Sequence, residues 1–199
     1  MKMKPSAILF DMDGVLVDSL DSWLLALNVA LKAFGRREIN RDEFIKKYWG
    51  HDLYDNLKRM GLDNEIGTFC NNVYGEHLNT IKIYSDARTT LEKLKRYKKG
   101  IITNTPQGCT RQILKKFDIE QYFDIVITSD EVPKAKPYPD IVFKACNLLD
   151  VKPENVVLVG DTDSDVKAGK AAGCTVVGLN INADYTIKKL SELIKLIIP

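Results

Sequence analysis

Short apolar runs alternate with helical patterns along most of this 199-residue chain, and this alternation constrains the fold more than any other feature. Five runs are predicted to be strands, over residues 7–10, 100–102, 124–128, 156–159 and 175–179. The accompanying helical patterns cover residues 87–99, 109–117, 138–149 and 165–172. Such alternation predicts a parallel, doubly wound sheet, and strands that are apolar throughout predict a sheet covered on both faces. The predicted fold class is therefore α/β with a Rossmann-like core.

Residues 18–84 interrupt the alternation, because they contain helical patterns and no strong strand pattern. These patterns cover residues 20–34, 41–48, 53–60 and 66–78, with Asn40 as a helix N-cap and with Gly35 and Gly61 after two helices. We therefore expect a catalytic core of residues 1–17 and 85–199, and a small all-α cap of residues 18–84 inserted after the first strand. Extra packing helices are one interpretation of the insertion. A lid is favoured, because ligands of such sheets bind at the carboxyl ends of the strands.

Composition argues against several classes of function. Lys and Arg (29) nearly balance Asp and Glu (27), so no nucleic-acid or acidic-membrane partner is expected. No apolar stretch reaches transmembrane length, and the first apolar run is too short for a signal peptide. The four cysteines form no CxxC pair, which favours free thiols in the cytoplasm. A monomer and a small homo-oligomer are both compatible with the sequence.

Polar residues suited to binding a metal or a phosphate follow four of the predicted strands. They are Asp11 and Asp13, then Thr103 and Asn104, then Lys136, and finally Asp161, Asp163 and Asp165. Because the carboxyl ends of parallel strands meet at one edge of a sheet, we expect these groups to share a cleft. Converging carboxylates repel unless a cation lies between them, and oxygen ligands without histidine favour magnesium. A lysine and a hydroxyl beside them suit a phosphate bound against that metal.

The first acidic pair also suits covalent chemistry. A carboxylate can act as a nucleophile and form an aspartyl-phosphate. An acid two residues further on, such as Asp13 after Asp11, emerges on the same side of an extended segment. It can protonate the leaving oxygen and then take a proton from water. Gly14 permits a tight backbone turn close to the ligand.

The motifs DMDGV, TN, KP and GDTDSD, in this order, resemble the four motifs of the haloacid dehalogenase superfamily. The resemblance is strongest to its phosphoglycolate phosphatase-like and phosphomutase-like branch, and it runs from residue 6 into the tail. It implies that Asp11 is the phosphorylated nucleophile and a magnesium ligand. It implies that Asp13 is the general acid/base, with its backbone carbonyl on the metal. The helical insertion would match the cap of this branch.

The resemblance also implies roles for the later motifs. The Thr103 side chain and the Asn104 backbone amide would hold the phosphoryl oxygens. Lys136 would neutralise charge on the phosphate and on the nucleophile. Asp161 would bind magnesium, and Asp165 would support the metal directly or through water. Asp163 matches no required position.

These residues predict a magnesium-dependent phosphatase acting on a small phosphorylated metabolite. Asp13 and the acidic loop argue against a hydrolytic dehalogenase, which lacks the second acid and needs no magnesium. A sugar phosphomutase is the alternative, although such enzymes usually carry an arginine where this chain has Leu53. A non-enzymatic phospho-Asp signalling module is disfavoured, because such modules lack a helical insertion and a second acid. Residues 47–58 are expected to contribute to substrate selection, with Trp49 packing the cap or lining a substrate loop.

Overall fold

A computed structural model describes residues 3–197, so the outermost residues of the predicted core, 1–2 and 198–199, lie outside it. Its strands are β1 (Ala7–Phe10), β2 (Val17–Asp18), β3 (Lys82–Ile83), β4 (Lys98–Thr103), β5 (Ile125–Thr128), β6 (Val156–Gly160), β7 (Thr175–Leu179) and β8 (Tyr185–Ile187). Its α-helices are α1 (Leu20–Ala33), α2 (Arg41–Lys47), α3 (Leu53–Met60), α4 (Asn64–Glu76), α5 (Ala87–Lys93), α6 (Gln107–Phe117), α7 (Asp140–Leu149), α8 (Asp163–Ala172) and α9 (Leu193–Ile197).

The main sheet has six parallel strands in the order β5–β4–β1–β6–β7–β8. The predicted α/β class and the parallel sheet are confirmed. β1 lies in the middle, and its alternating side chains enter two different cores. Ile8 and Phe10 belong to one apolar cluster, whereas Ala7 and Leu9 belong to the other. The residues directly after β1 therefore emerge at the centre of the sheet edge, between the ends of β4 and β6.

The predicted helix over residues 87–99 is wrong beyond Lys93, because β4 already begins at Lys98. The lysines of this charged run are accommodated at the strand because their ammonium groups donate hydrogen bonds to carbonyl oxygens. Lys99 Nζ donates to the carbonyls of Leu94 (3.2 Å) and Tyr97 (2.9 Å). The short edge strand β8 was not predicted.

The helical segment, residues 20–76, contains α1 to α4. Its four helices match the four predicted helical patterns, although α4 begins two residues earlier than expected, at Asn64. A two-stranded antiparallel ribbon that sequence reasoning missed lies at its ends. Val17 pairs with Ile83 and Asp18 pairs with Lys82. The segment that leaves the main sheet and the segment that returns to it therefore run side by side.

Within residues 3–197, no helix combines the length and the apolar character needed to cross a membrane.

Candidate active site

The ends of the central strands bring three predicted acids together. The backbone N–H of Asp11 donates to the Val159 carbonyl at 2.9 Å, which extends the β1–β6 pairing by one residue. Asp11, Asp161 and Asp165 each offer a carboxylate oxygen within 4.8 Å of the others. The three acids lie at positions 11, 161 and 165 of the chain. They meet because the parallel strands β1 and β6, which precede them, end at the same edge of the sheet.

Lys136 lies among these acids and is almost completely buried, at 1% exposure. Its ammonium contacts Asp11 Oδ1 at 2.9 Å and Asp165 Oδ1 at 2.6 Å, and it donates to the Ile102 carbonyl at 3.1 Å. Burial by itself lowers the pKa of Lys136, but the two carboxylates outweigh it and raise the pKa above its usual value. The site therefore holds a permanent positive charge.

The acidic cluster has the properties of a hard-cation site. Burial, reinforced by the charge of Asp165, raises the pKa of Asp161 to about 7 and the pKa of Asp11 well above its usual value. Asp161 Oδ1 is buried and has no hydrogen-bond partner among the described residues. A divalent cation would satisfy this oxygen and offset the carboxylate repulsion, and the all-oxygen donor set suits magnesium. The residues present therefore fit the predicted metal.

Asp165 is held by the protein on both of its oxygens. Oδ1 accepts from Lys136, and Oδ2 accepts from the backbone N–H (3.1 Å) and the hydroxyl (2.6 Å) of Thr162. Thr162 and Asp165 are the two residues of a capping box at the start of α8. Asp163, which matches no required motif position, lies exposed in the first turn of the same helix.

Asp13 is buried at 9% exposure and accepts hydrogen bonds from three hydroxyl groups. Ser19 donates to Oδ1, while Thr105 (2.7 Å) and Thr103 (3.3 Å) donate to Oδ2. Burial raises the pKa of Asp13 even though these hydroxyls act in the opposite direction. Sequence reasoning identified Thr103 but missed Ser19 and Thr105. The signal for Thr105 was present, because it lies two residues after Thr103 in the loop that follows β4.

The side chain of Asn104 ties two loops together. Its amide donates to the carbonyls of Gly50 (3.1 Å) and Lys136 (2.9 Å), and its oxygen accepts from the Lys136 backbone N–H (3.0 Å). Only the backbone amide of Asn104 was singled out from the sequence. The side chain is thus an additional contact between the helical segment and the loop that carries Lys136.

Two glycines allow other chain segments to approach the acids closely. Gly14 has φ +77°, and a Cβ there would overlap the Asp161 carboxylate. Gly50 also has φ +77°, and its Cβ would lie 2.5 Å from Thr162 Cγ2. Both positions need glycine for the backbone conformation and for space. Glycine is therefore needed at position 14 for the predicted turn and also because the Asp161 carboxylate lies against this part of the backbone.

The chain belongs to the haloacid dehalogenase-like hydrolase family, whose profile matches residues 8–179. The resemblance carried by the four motifs is confirmed, and the protein is a hydrolase of this family. It is 32% identical to the phosphoglycolate phosphatase of Aquifex aeolicus (strain VF5), over 95% of each chain. It is 27% identical to the pyrophosphatase PpaX of Bacillus mycoides (strain KBAB4), over 98% of each chain. Among solved structures, a HAD phosphatase from Thermococcus onnurineus shares 32% identity and a TM-score of 0.70, with 97% of both chains covered.

Proposed function

We propose that this protein is a magnesium-dependent phosphatase that hydrolyses a small phosphate monoester through an aspartyl-phosphate intermediate. The observation that carries the proposal is the position of Asp11, which contacts the Lys136 ammonium and lies within 4.8 Å of an Asp161 carboxylate oxygen, with Asp13 two residues further on. The names of the two curated relatives, a phosphoglycolate phosphatase and a pyrophosphatase, support the hydrolysis of a phosphoryl group.

In the first step, Asp11 attacks phosphorus. Its Oδ1 already accepts from the Met12 backbone N–H (2.7 Å) and contacts Lys136, so Oδ2 is the oxygen available for attack. The bond from Oδ2 to phosphorus forms as the bond to the leaving oxygen breaks. Asp13 gives its proton to the departing alkoxide, and the raised pKa of Asp13 supports its protonated form. Thr103 and the Asn104 backbone amide hold the phosphoryl oxygens, and Lys136 offsets charge on the phosphate and on the nucleophile.

In the second step, the intermediate is hydrolysed. The ionised Asp13 takes a proton from a water molecule, whose oxygen attacks phosphorus. Inorganic phosphate departs and Asp11 is regenerated as a carboxylate. The hydroxyls of Ser19 and Thr105 hold the Asp13 carboxyl group in place in both steps.

Asp11, Asp161 and the backbone carbonyl of Asp13 would hold the magnesium ion, with Asp165 supporting the site. When bound, magnesium supplies positive charge that stabilises the transferring phosphoryl group. Asp165 would also position Lys136, because its bonds to Lys136 and Thr162 fix the lysine beside Asp11. The cluster thus orients the nucleophile as well as binding the metal.

Residues 18–84 would act as a cap over the strand ends. Trp49 and Gly50 contact the core site through Asp161 and Asn104, which supports this part of the proposal. Cap closure would exclude bulk water from the intermediate.

A sugar phosphomutase is less well supported, because Leu53 lines the cleft where such enzymes usually carry an arginine. The four buried free cysteines support a reducing, cytoplasmic environment.

The test measures phosphate release from p-nitrophenyl phosphate and from small phosphorylated metabolites, with and without magnesium. We expect activity only with magnesium, and none in Asp11→Asn. In Asp13→Asn, turnover should collapse while magnesium still raises the melting temperature. Asp163→Asn, at an exposed acid in the first turn of α8 between Asp161 and Asp165, is the matched control and should retain activity. Full activity of Asp11→Asn, or activity without magnesium, would overturn the proposal.

A further inference from the structure

One cleft joins the acidic cluster to the helical segment, and its two sides differ in character. Its volume is about 580 Å³, including its open mouth. The floor presents the acids Asp11 and Asp13 with hydroxyls of the core loops. The wall formed by the helical segment is largely apolar and aromatic, and it consists of Trp23, Leu27, Phe44, Tyr48, Trp49 and Leu53. A phosphate bound at Asp11 would therefore direct its leaving group toward an apolar surface.

The aromatic side chains of this wall are fixed by their neighbours. Trp23 stacks on Tyr74 with ring centroids 3.8 Å apart and an interplanar angle of 14°. Trp49 meets Phe44 edge-on at 6.0 Å. Trp23, Leu27 and Phe44 also form part of the apolar core, so they cannot easily turn away. The leaving group thus meets a preformed surface.

The wall carries no cation for an anionic leaving group. Within residues 3–197, neither a lysine nor an arginine lines the cleft. Lys136 is engaged by two carboxylates beneath the floor. Arg59 is exposed, lies over the Tyr48 ring at 5.9 Å and donates to Asn56 Oδ1 at 3.3 Å. Burial lowers the pKa of His51, which disfavours the charged form of that lining residue.

Most polar groups of the wall are already bonded within the protein. Asn56 Nδ2 donates to the Tyr48 carbonyl at 2.8 Å, and the Trp49 N–H donates to Asp161. His51 Nδ1 pairs with the Ser164 hydroxyl at 3.3 Å. Among the wall side chains that the structure describes, the second ring nitrogen of His51 and the Tyr48 hydroxyl are the polar groups left without such a bond. A carboxylate brought here would lose its hydration without gaining an ionic partner, whereas an apolar group would gain by burial.

We propose that the preferred substrates are phosphate monoesters of uncharged alcohols with a compact apolar or aromatic body. Monoesters whose leaving group carries a carboxylate, a second phosphate or several hydroxyls are poor substrates. The inference rests on the proposed phosphatase function, because it takes the phosphate to bind at Asp11. It distinguishes this chain from the relatives named for phosphoglycolate and pyrophosphate, whose leaving groups are anionic.

The test compares kcat/KM for benzyl phosphate, glycerol 3-phosphate and 2-phosphoglycolate, with magnesium present. All three are esters of primary alcohols, so the leaving oxygens are chemically similar. We expect benzyl phosphate to exceed the other two by at least about tenfold, the discrimination that an apolar pocket provides. Equal or better use of phosphoglycolate or glycerol 3-phosphate would overturn the inference and leave the phosphatase proposal standing. No phosphate release from these esters or from p-nitrophenyl phosphate would overturn both.

Two variants test the wall directly. Tyr48→Ala should lower kcat/KM for benzyl phosphate about tenfold more than for methyl phosphate, because only the larger group contacts the ring. Tyr185→Ala, at an exposed tyrosine of the edge strand β8, is the control and should leave the ratio unchanged. His51→Arg adds a cation to the lining and should raise kcat/KM for phosphoglycolate relative to benzyl phosphate about tenfold. An unchanged ratio in both Tyr48→Ala and His51→Arg would contradict the assignment of this wall.

Discussion

Trp49 donates its indole N–H to Asp161 Oδ2 at 3.2 Å, joining residues that are 112 positions apart in the chain. The bond links the helical segment to the proposed metal site. It satisfies one oxygen of Asp161, while the other oxygen has no partner among the described residues. The helical segment therefore takes part in setting the orientation of a proposed metal ligand.

Trp49→Phe should weaken magnesium binding, because Asp161 loses the donor that orients and stabilises its carboxylate. We expect the magnesium concentration for half-maximal activity to rise about tenfold, as is typical when a partner of a metal ligand is removed. The rise in melting temperature with added magnesium provides a second measurement. Trp23→Phe, which alters a stacked tryptophan of the same cleft wall, is the control. Equal magnesium dependence in the two variants would argue against an orienting role for Trp49.

Lys136→Met should destabilise the metal-free protein strongly. Two buried carboxylates, Asp11 and Asp165, would lose their shared cation, and breaking a buried pair in this way costs about 3–5 kcal/mol. Urea denaturation measures the free energy of unfolding. Lys144→Met, which removes a partly exposed contact to Glu131 at 3.5 Å, should cost less than about 1 kcal/mol. Similar losses in the two variants would show that Lys136 contributes little to stability.

Thr105→Val should lower kcat more than it changes KM, because the Thr105 hydroxyl holds Asp13 at 2.7 Å without a proposed contact to phosphate. We expect a loss of about tenfold, a part of the roughly 10²–10⁴-fold that general acid–base catalysis contributes. Steady-state kinetics separates the two parameters. Thr105→Ser keeps the hydroxyl and should restore most of kcat. Failure of the serine variant to restore it would indicate that the threonine acts through packing.

Gly50→Ala should impair both stability and activity, whereas Gly61→Ala should affect stability alone. Both glycines have a left-handed backbone, so alanine costs about 1–2 kcal/mol at either position. A Cβ at Gly61 meets open space, but one at Gly50 collides with Thr162. That collision would also disturb the bond from Asn104 to the Gly50 carbonyl. Urea denaturation and kcat/KM distinguish the two effects, and equal kcat/KM in both variants would contradict the expected role of this contact.

Local sequence pattern was sufficient to predict most secondary structure. β1, β7 and α3 have the predicted bounds, because their apolar periodicity is uninterrupted or their caps are distinct. The pattern failed between α5 and β4, where lysines continue a helical periodicity into a strand. Carbonyl partners of Lys99, which depend on the folded turn, decide that boundary. The β2–β3 ribbon was missed because two-residue strands carry too little periodicity to be recognised.

From the sequence alone, strand periodicity predicted the α/β class, and the order of the four motifs indicated the family by resemblance. The convergence of Asp11, Asp161 and Asp165 was predictable because parallel strands bring their carboxyl ends to one edge. Only the tertiary structure decided that Lys136 lies between Asp11 and Asp165, and that Trp49 reaches Asp161. These contacts depend on loop paths and side-chain directions between residues far apart in the chain. A periodic pattern carries no information about such directions, so the neutral, aromatic wall of the cleft became visible only in the folded chain.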